Sequence, residues 1–443
     1  MKKILAMILA VLMLVTMLAG CGNTQAPKAE KTEAPAASET QESQHIESEE
    51  TVEPQEIVMW GSWSGDQIAQ LEAMIDDYNA SQNKYVVKYV MQESMEEKLL
   101  TGIAGGELPD ILMWDRYNTS VYASKGALEP IDDLVAADNL DLSIFYAPAV
   151  DEATGADGKL YGLPLFVDVR VLFYNKTLFA EAGVNPEDIK TWDDLEAAAI
   201  KLTKRDGDKL VQAGFSLKDA GLYNIWSKQA GASLVDTSST PAKTAFNSEA
   251  GLSVLNFWGK LLNEDRVYEL GFEDSFGGDG FKAGVVAITY NGPWALSDYN
   301  NAGIEYGLIA NPTGPNGDKG AFMGGFSLAM PAGCEHKDGA WDFMKWWTTV
   351  PENQVKFTQI SSWLPANIEA ANSEYFANDE YLSVFSQVLS FAGIRPKTLG
   401  YSDVEGLALT PQIQKFMAGE ITAEEALANA QAQGDQIFAD YAG

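Results

Sequence analysis

The chain has 443 residues, with 63 Asp and Glu against 30 Lys and Arg, a formal net charge of −33, two Cys and two His. Such a charge repels a phosphate backbone and no Lys/Arg-rich run offsets it, so nucleic acid is excluded as a partner. Cys21 and Cys334, His45 and His336 are too scattered for a metal knuckle, which excludes structural zinc, while 46% hydrophobic and 11% aromatic residues exclude disorder of the whole chain.

Met1, Lys2 and Lys3 make a positive start, and Ile4 to Leu18 is almost entirely apolar. This predicts a secretion signal over 1–20, since the apolar stretch is shorter than the ~20 residues that span a bilayer as a helix. Leu18-Ala19-Gly20-Cys21 resembles the lipobox of bacterial lipoproteins, in which the signal is cut before the Cys and its sulfur carries a diacylglyceryl group. Two or more acyl chains, palmitate among them, anchor a protein stably. From Gly22 to Gln55 there is no aromatic residue, and eight Glu stand against two Lys. Residues 21–55 are therefore expected to be a lipidated Cys and a disordered acidic tether. Without Cys21, Cys334 has no partner for an intramolecular disulfide and reads as a packing residue.

The folded part is expected from Glu56. Ile57 to Trp60 suits a buried strand, and Ile68, Leu71, Ile75 and Tyr78 recur at helical spacing over 66–80. Tyr85 to Val90 is a second strand, Met95 to Ala104 a helix ending at Gly105-Gly106, and Ile111 to Trp114 a third strand. Strand and helix alternate, so the first lobe is predicted to be α/β with a largely parallel sheet, and a ligand to sit beyond the carboxyl ends of its strands, near Trp60, Trp63 and 114–116. A second α/β stretch follows the strand Val169 to Tyr174. Thr191 and Asp194 form a capping box for a helix to Leu202, Leu252 to Leu262 is helical, and Val285 to Tyr290 is a strand. Beyond Met330 the chain reads as mostly helical, with Thr422 and Glu425 capping one of the last helices. Trp192, Trp258, Trp341, Trp346 and Trp347 fall on helical stretches and read as core.

Leu108-Pro109-Asp110-Ile111, Leu163-Pro164, Leu172-Phe173-Tyr174-Asn175-Lys176, Phe281-Lys282-Ala283-Gly284 and Ala287 to Trp294 resemble, in order and spacing, the family 1 extracellular solute-binding proteins of ABC importers, the group of maltodextrin-binding proteins. The resemblance covers nearly all of 56–443. It implies a two-lobed α/β periplasmic-binding-protein fold (type II), with a three-segment hinge crossing near 164–168, 289–293 and 326–331 and a sugar held in the interlobe cleft. The lobes implied are 56–165 plus 291–328 and 166–290 plus 329–443.

A sugar presents hydroxyls on its edges and C–H patches on its faces, so its site needs aromatic plates with planar hydrogen-bonding groups beside them. The resemblance places Trp114, Trp294 and the segment Tyr223 to Trp226 at lining positions, matches Asp115-Arg116 to a sugar-hydroxyl pair, and matches Asp168 to a hinge carboxylate. Trp60, Trp63 and Trp363 join them as Trp residues at strand ends or in loops, Trp363 as part of a second-lobe loop. Arg170 is equally explained by a structural pairing with Asp168. The late second-lobe Trp of the maltodextrin-binding relatives has no match in 402–410, where Gly406 and Leu407 stand.

The function so implied is capture of a mono- or oligosaccharide, without cofactor, metal or catalysis, and delivery to the transmembrane subunits of an ABC permease. The chain would be a monomer held at the outer face of the cytoplasmic membrane by its N-terminal lipid alone, in a cell with a thick wall. Alternatives are the same fold binding a polyamine or a glycerol phosphate, or a secreted glycoside hydrolase using Asp115 and Asp168. Phosphate recognition favours clustered Arg, and the chain has five.

Overall fold

The computed structural model describes residues 53–443. The secretion signal, Cys21 and the tether as far as Val52 lie outside the described residues. Among the described residues no helix is long and apolar enough to cross a membrane.

In chain order the strands are β1 (Gln55–Gly61), β2 (Tyr85–Met91), β3 (Ile111–Asp115), β4 (Gly162–Asp168), β5 (Val171–Asn175), β6 (Lys204–Asp206), β7 (Lys209–Gln212), β8 (Val235–Asp236), β9 (Lys243–Thr244), β10 (Ile288–Asn291), β11 (Tyr306–Ile309), β12 (Gly324–Ala329) and β13 (Leu364–Pro365). Two sheets organise the site: one of six strands in the order β13-β4-β12-β3-β1-β2, and one of three in the order β10-β5-β11. β1 pairs in parallel with β2 and β3, as the helices Asp66–Ser81 and Met95–Gly105 between them require. β12 then enters antiparallel between β3 and β4. The smaller sheet is wholly antiparallel.

Strand alternation divides the side chains of the first sheet. Ile57 and Met59 of β1, with Ile111 and Met113 of β3, join the main core, whereas Leu112, Trp114 and Ala329 form a second cluster with Met95 and Leu99, against which Trp60 packs. Successive residues of a strand point to opposite faces, which puts Trp60 and Trp114 together on the face covered by the helix Met95–Gly105.

The two helix starts read from the sequence form as capping boxes. Thr191 and Asp194 exchange side-chain and backbone bonds at Trp192–Leu202, and Thr422 and Glu425 do the same at Ala423–Ala442. Trp192, Trp258, Trp341 and Trp347 are buried and Trp346 partly so, consistent with core roles. Cys334 is a buried free thiol beside the Asp110 carbonyl, and burial pushes it up to about 11.

Sheet membership divides the chain differently from the lobes expected. β10 and β11 pair with β5, so 288–309 stays with the smaller sheet, and β13 pairs with β4, which brings 364–365 and the helices Lys337–Thr348 and Pro351–Ser361 to the larger one. The connections between sheets therefore run through Val169-Arg170, through 310–323, and through the stretch that leads from β13 to the helix Glu380–Leu389, which packs on β5 and β11. Two of the three expected crossings move: 289–293 ends β10 within its sheet, and 326–329 is strand within the larger one.

Candidate functional site

A cleft of about 410 Å³ opens between the two sheets, within the size range of small-ligand sites. The larger sheet contributes Trp63 just past β1, Asp115 at the end of β3, Asp168 at the end of β4, Gly324 to Phe326 at the start of β12, and Trp363 ahead of β13. Facing them are Arg170, Asp219, Leu222, Asn224, Ile225 and Trp294, with Arg395 and Glu405 from later in the chain. Strand ends supply most of the first wall because there the ladder stops and a side chain is free to face a ligand.

An aromatic row forms one side. Trp63 stacks on Trp363 at 5.2 Å between centroids and 22° between planes, and Trp363 meets Trp294 at 5.1 Å and 34°. Phe166 backs both Trp63 (5.3 Å) and Trp363 (4.5 Å). Trp63 and Trp363 are 5% and 6% exposed, so only edges or part-faces are offered, whereas Trp294 is half-buried and presents more of its ring. The guanidinium of Arg170 lies 5.7 Å over the Trp294 ring.

The cleft also carries charged groups. Arg170 Nη1 donates to Asp219 at 2.5 Å, and Arg395 Nη2 stands 3.9 Å from Asp115 while its guanidinium covers Tyr117 at 3.8 Å. Asp115 also accepts from the Tyr117 amide at 3.1 Å. Loss of water raises the Asp168 carboxyl to about 6, against the pull of Arg116. Glu405 is raised for the same reason, opposed by Arg395. Burial works against the charge of Arg395, but Asp115 and Glu405 outweigh it and hold the guanidinium above its ordinary value.

Arg116 builds the floor. It is 1% exposed and donates to the carbonyls of Phe166 (2.8 Å), Phe326 (2.8 Å) and Gly324 (2.6 Å), with its Nε 3.3 Å from Glu152. Gly325 allows this approach: at φ +130° it holds a conformation that side chains rarely adopt, and a Cβ there would lie 2.2 Å from the Phe166 carbonyl. The ladder of β12 against β4 shifts register one residue later, between Phe326 and Ser327.

Of the residues expected at the site, Trp63, Asp115, Asp168, Trp294 and Trp363 line the cleft, and Trp60, Trp114, Arg116, Tyr223 and Trp226 do not. Trp60 and Trp114 face the wrong side of the sheet by strand alternation, Trp114 packing on Tyr122 at 5.1 Å. Arg116 spends its donors on backbone carbonyls instead of a ligand. Tyr223 and Trp226 turn inward from the helix Tyr223–Gln229, Trp226 against Trp192 at 5.0 Å, while their neighbours Asn224 and Ile225 face the cleft. Trp363 arrives from the larger sheet and not from a loop of the other lobe. Arg170 pairs with Asp219 and not with Asp168. Sequence reasoning missed Gln67, Asp219, Arg395 and Glu405; Arg395 was open to notice as one of five Arg, and Glu405 stands beside the Gly406 where a Trp was sought.

Residues 73–383 match the family described as bacterial extracellular solute-binding protein. The chain belongs to the bacterial extracellular solute-binding proteins. Its relatives within that family include a maltotriose-binding protein of Pyrococcus abyssi, 25% identical over 348 residues that cover 77% of this chain and 73% of that protein. A second is the sn-glycerol-3-phosphate-binding periplasmic protein of Yersinia enterocolitica, 25% identical over 410 residues, covering 86% and 92%. Among solved structures, a receptor of Streptomyces glaucescens determined unliganded and in complex with acarbose superposes with a TM-score of 0.77 at 25% identity, covering 87% of this chain and 99% of that one. The solute-binding family fold is two-lobed.

Proposed function

We propose that the chain captures a saccharide in this cleft, outside the membrane, and delivers it to the transmembrane subunits of an ABC permease. The observation that carries the reading is the row Trp63-Trp363-Trp294 lining one cleft with Asp115 and Asp168, aromatic surface for sugar faces beside planar acceptors for sugar hydroxyls. The relatives that bind maltotriose and acarbose support the ligand class. Ligand contacts to both walls favour the closed arrangement of the lobes, and the permease reads that arrangement. The lobes turn as bodies centred on the two sheets, with Val169-Arg170 as the shortest connection. The chain acts as a monomer, tethered through lipidated Cys21 at the outer face of the cytoplasmic membrane after removal of the signal, under a thick cell wall.

The protein is a binder and not a hydrolase on this reading, because Asp115 is already engaged by Tyr117 and Arg395 and is poorly free to act as one of two catalytic carboxyls. A glycerol phosphate, which the Yersinia relative takes, would meet Asp115, Asp168, Asp219 and Glu405, with both arginines of the cleft already facing carboxylates.

Calorimetric titration of the full chain with mono- and oligosaccharides, alongside its scattering radius, tests the reading. Binding of at least one saccharide with a smaller radius is expected. No heat and no change of radius across the panel, or turnover of a chromogenic glycoside abolished by Asp168→Asn, would overturn it.

A further inference from the structure

The charges of the cleft do not balance. Asp115, Asp168, Asp219 and Glu405 face it with Arg170 and Arg395, four negative groups against two positive. Arg170 is committed to Asp219, and Arg395 lies by Asp115 and acts on Glu405 as well. Arg116, whose charge also reaches Asp168, is answered by Glu152. Two carboxylate charges are left over: one on Asp168, and one shared by the Asp115, Arg395 and Glu405 group. No protein donor bonds to the Asp168 carboxylate among the hydrogen bonds of the described residues, and Glu405, which the side chains of Tyr117 and Asn224 approach, keeps its Oε2 buried without a partner.

Glu405 is held there by an unusual turn. Val404–Leu409 is π-helical, a wider winding that inserts a residue and re-aims the side chains that follow the preceding turn; such turns recur at functional sites. A desolvated carboxylate with no partner is destabilising unless something supplies one. The face of Trp294 already accepts one cation, the guanidinium of Arg170, so the aromatic row suits positive charge as well as sugar C–H.

Resting on the saccharide reading above, we propose that the cleft selects a saccharide bearing a basic amino group over its neutral counterpart, with Glu405 and Asp168 as the residues that recognise the ammonium. A hydroxyl donates one hydrogen bond to a carboxylate. An ammonium donates up to three and brings the compensating charge, so the preference arises from the groups now uncompensated.

The test is calorimetric titration of the full chain at pH 7.5 with matched sets of di- and trisaccharides: glucosamine and galactosamine forms, their N-acetyl forms, and the hydroxyl parents, with spermidine as a sugar-free amine. The amine forms are expected to bind about tenfold or more tighter than their matched neutral forms, as for a charge pair formed in a desolvated site. Glu405→Gln and, separately, Asp168→Asn are expected to shrink that ratio about tenfold, while Glu181→Gln, an equal change of net charge at an exposed residue paired with Lys204, leaves the ratio unchanged. Matched forms binding within twofold of each other, or neutral forms binding tighter, would overturn this inference and leave the saccharide reading standing. A ratio that falls equally with Glu181→Gln would overturn it too, by assigning the preference to long-range charge. Binding of spermidine alone, or of nothing, would overturn both readings.

Discussion

Arg116 donates to the carbonyl of Gly324 at 2.6 Å, and that contact ties the end of β3 to the residue at which the chain re-enters the larger sheet. Because the same guanidinium also holds Phe166 and Phe326, one side chain fixes the ends of β4 and β12 against each other directly beneath Asp168 and Asp115. Arg116→Ala leaves three carbonyls and the Glu152 carboxylate without a partner. A loss of about 3–5 kcal/mol is expected, the scale of breaking a buried pair, measured by urea unfolding of the full chain. A loss below about 1 kcal/mol would show that water replaces the guanidinium.

The aromatic row separates binding from stability. Trp294 is half-buried on a loop, so Trp294→Ala is expected to weaken saccharide binding by about 10- to 100-fold with little change in unfolding midpoint. Trp363 is buried against Trp63 and Phe166, so Trp363→Ala should also remove about 3–5 kcal/mol of stability. Parallel titration and thermal unfolding distinguish the two; equal effects of both substitutions on stability would contradict the packing described.

Glu152 gives a pH dependence with a definite sign. Burial raises its carboxyl from 4.5 to about 7, with Arg116 opposing. Between those values the folded chain retains a proton that the unfolded chain releases. The contribution to stability is therefore greatest below about 4.5, falls as pH rises through the window, and is flat above about 7, a span of roughly 3 kcal/mol. Urea midpoints at pH 5 and pH 8 are expected to differ less in Glu152→Gln than in the unsubstituted chain. Identical pH dependence in the two would refute the assignment.

Gly325→Ala should distort the floor of the cleft, because φ +130° and the 2.2 Å approach to the Phe166 carbonyl leave no room for a methyl. A destabilisation of about 1–3 kcal/mol is expected for forcing a side chain into that conformation, with weakened ligand binding as Arg116 and Asp168 shift. A variant as stable as the original, by urea unfolding, would mean that the strand end relaxes freely.

The larger sheet was legible in the sequence as far as β3, since β1, β2 and β3 alternate with helices whose apolar spacing is regular. β12 was not read as a strand of that sheet from periodicity, although the resemblance put 324–328 in the first lobe, because a central strand supplied from 324–329 depends on a pairing with β3 more than 200 residues earlier. At the site, Trp63, Trp294 and Trp363 were recoverable because strand ends and Gly/Pro loops expose side chains, whereas Asp115 and Asp168 came from the family resemblance. Trp60 and Trp114 were misplaced despite a signal that was available: they share the strand face of Leu112, and period-two alternation sets that face away from Met59 and Met113. Arg395 and Glu405 carried only weak local signals, for a physical reason. The π-helical turn breaks the 3.6-residue phase by which a helix face is predicted, and the partner of Arg395 is Asp115, remote in the chain.

The place of β12, between β3 and β4, also bears on how the chain comes into being. A strand that fills the middle of the larger sheet is made only after about seven-tenths of the described chain, so β3 and β4 wait without the neighbour they share. The larger sheet is not encoded by an unbroken stretch, and no N-terminal fragment ending before Gly324 contains it whole. Such a sheet completes itself late, because its central pairing joins segments more than 200 residues apart.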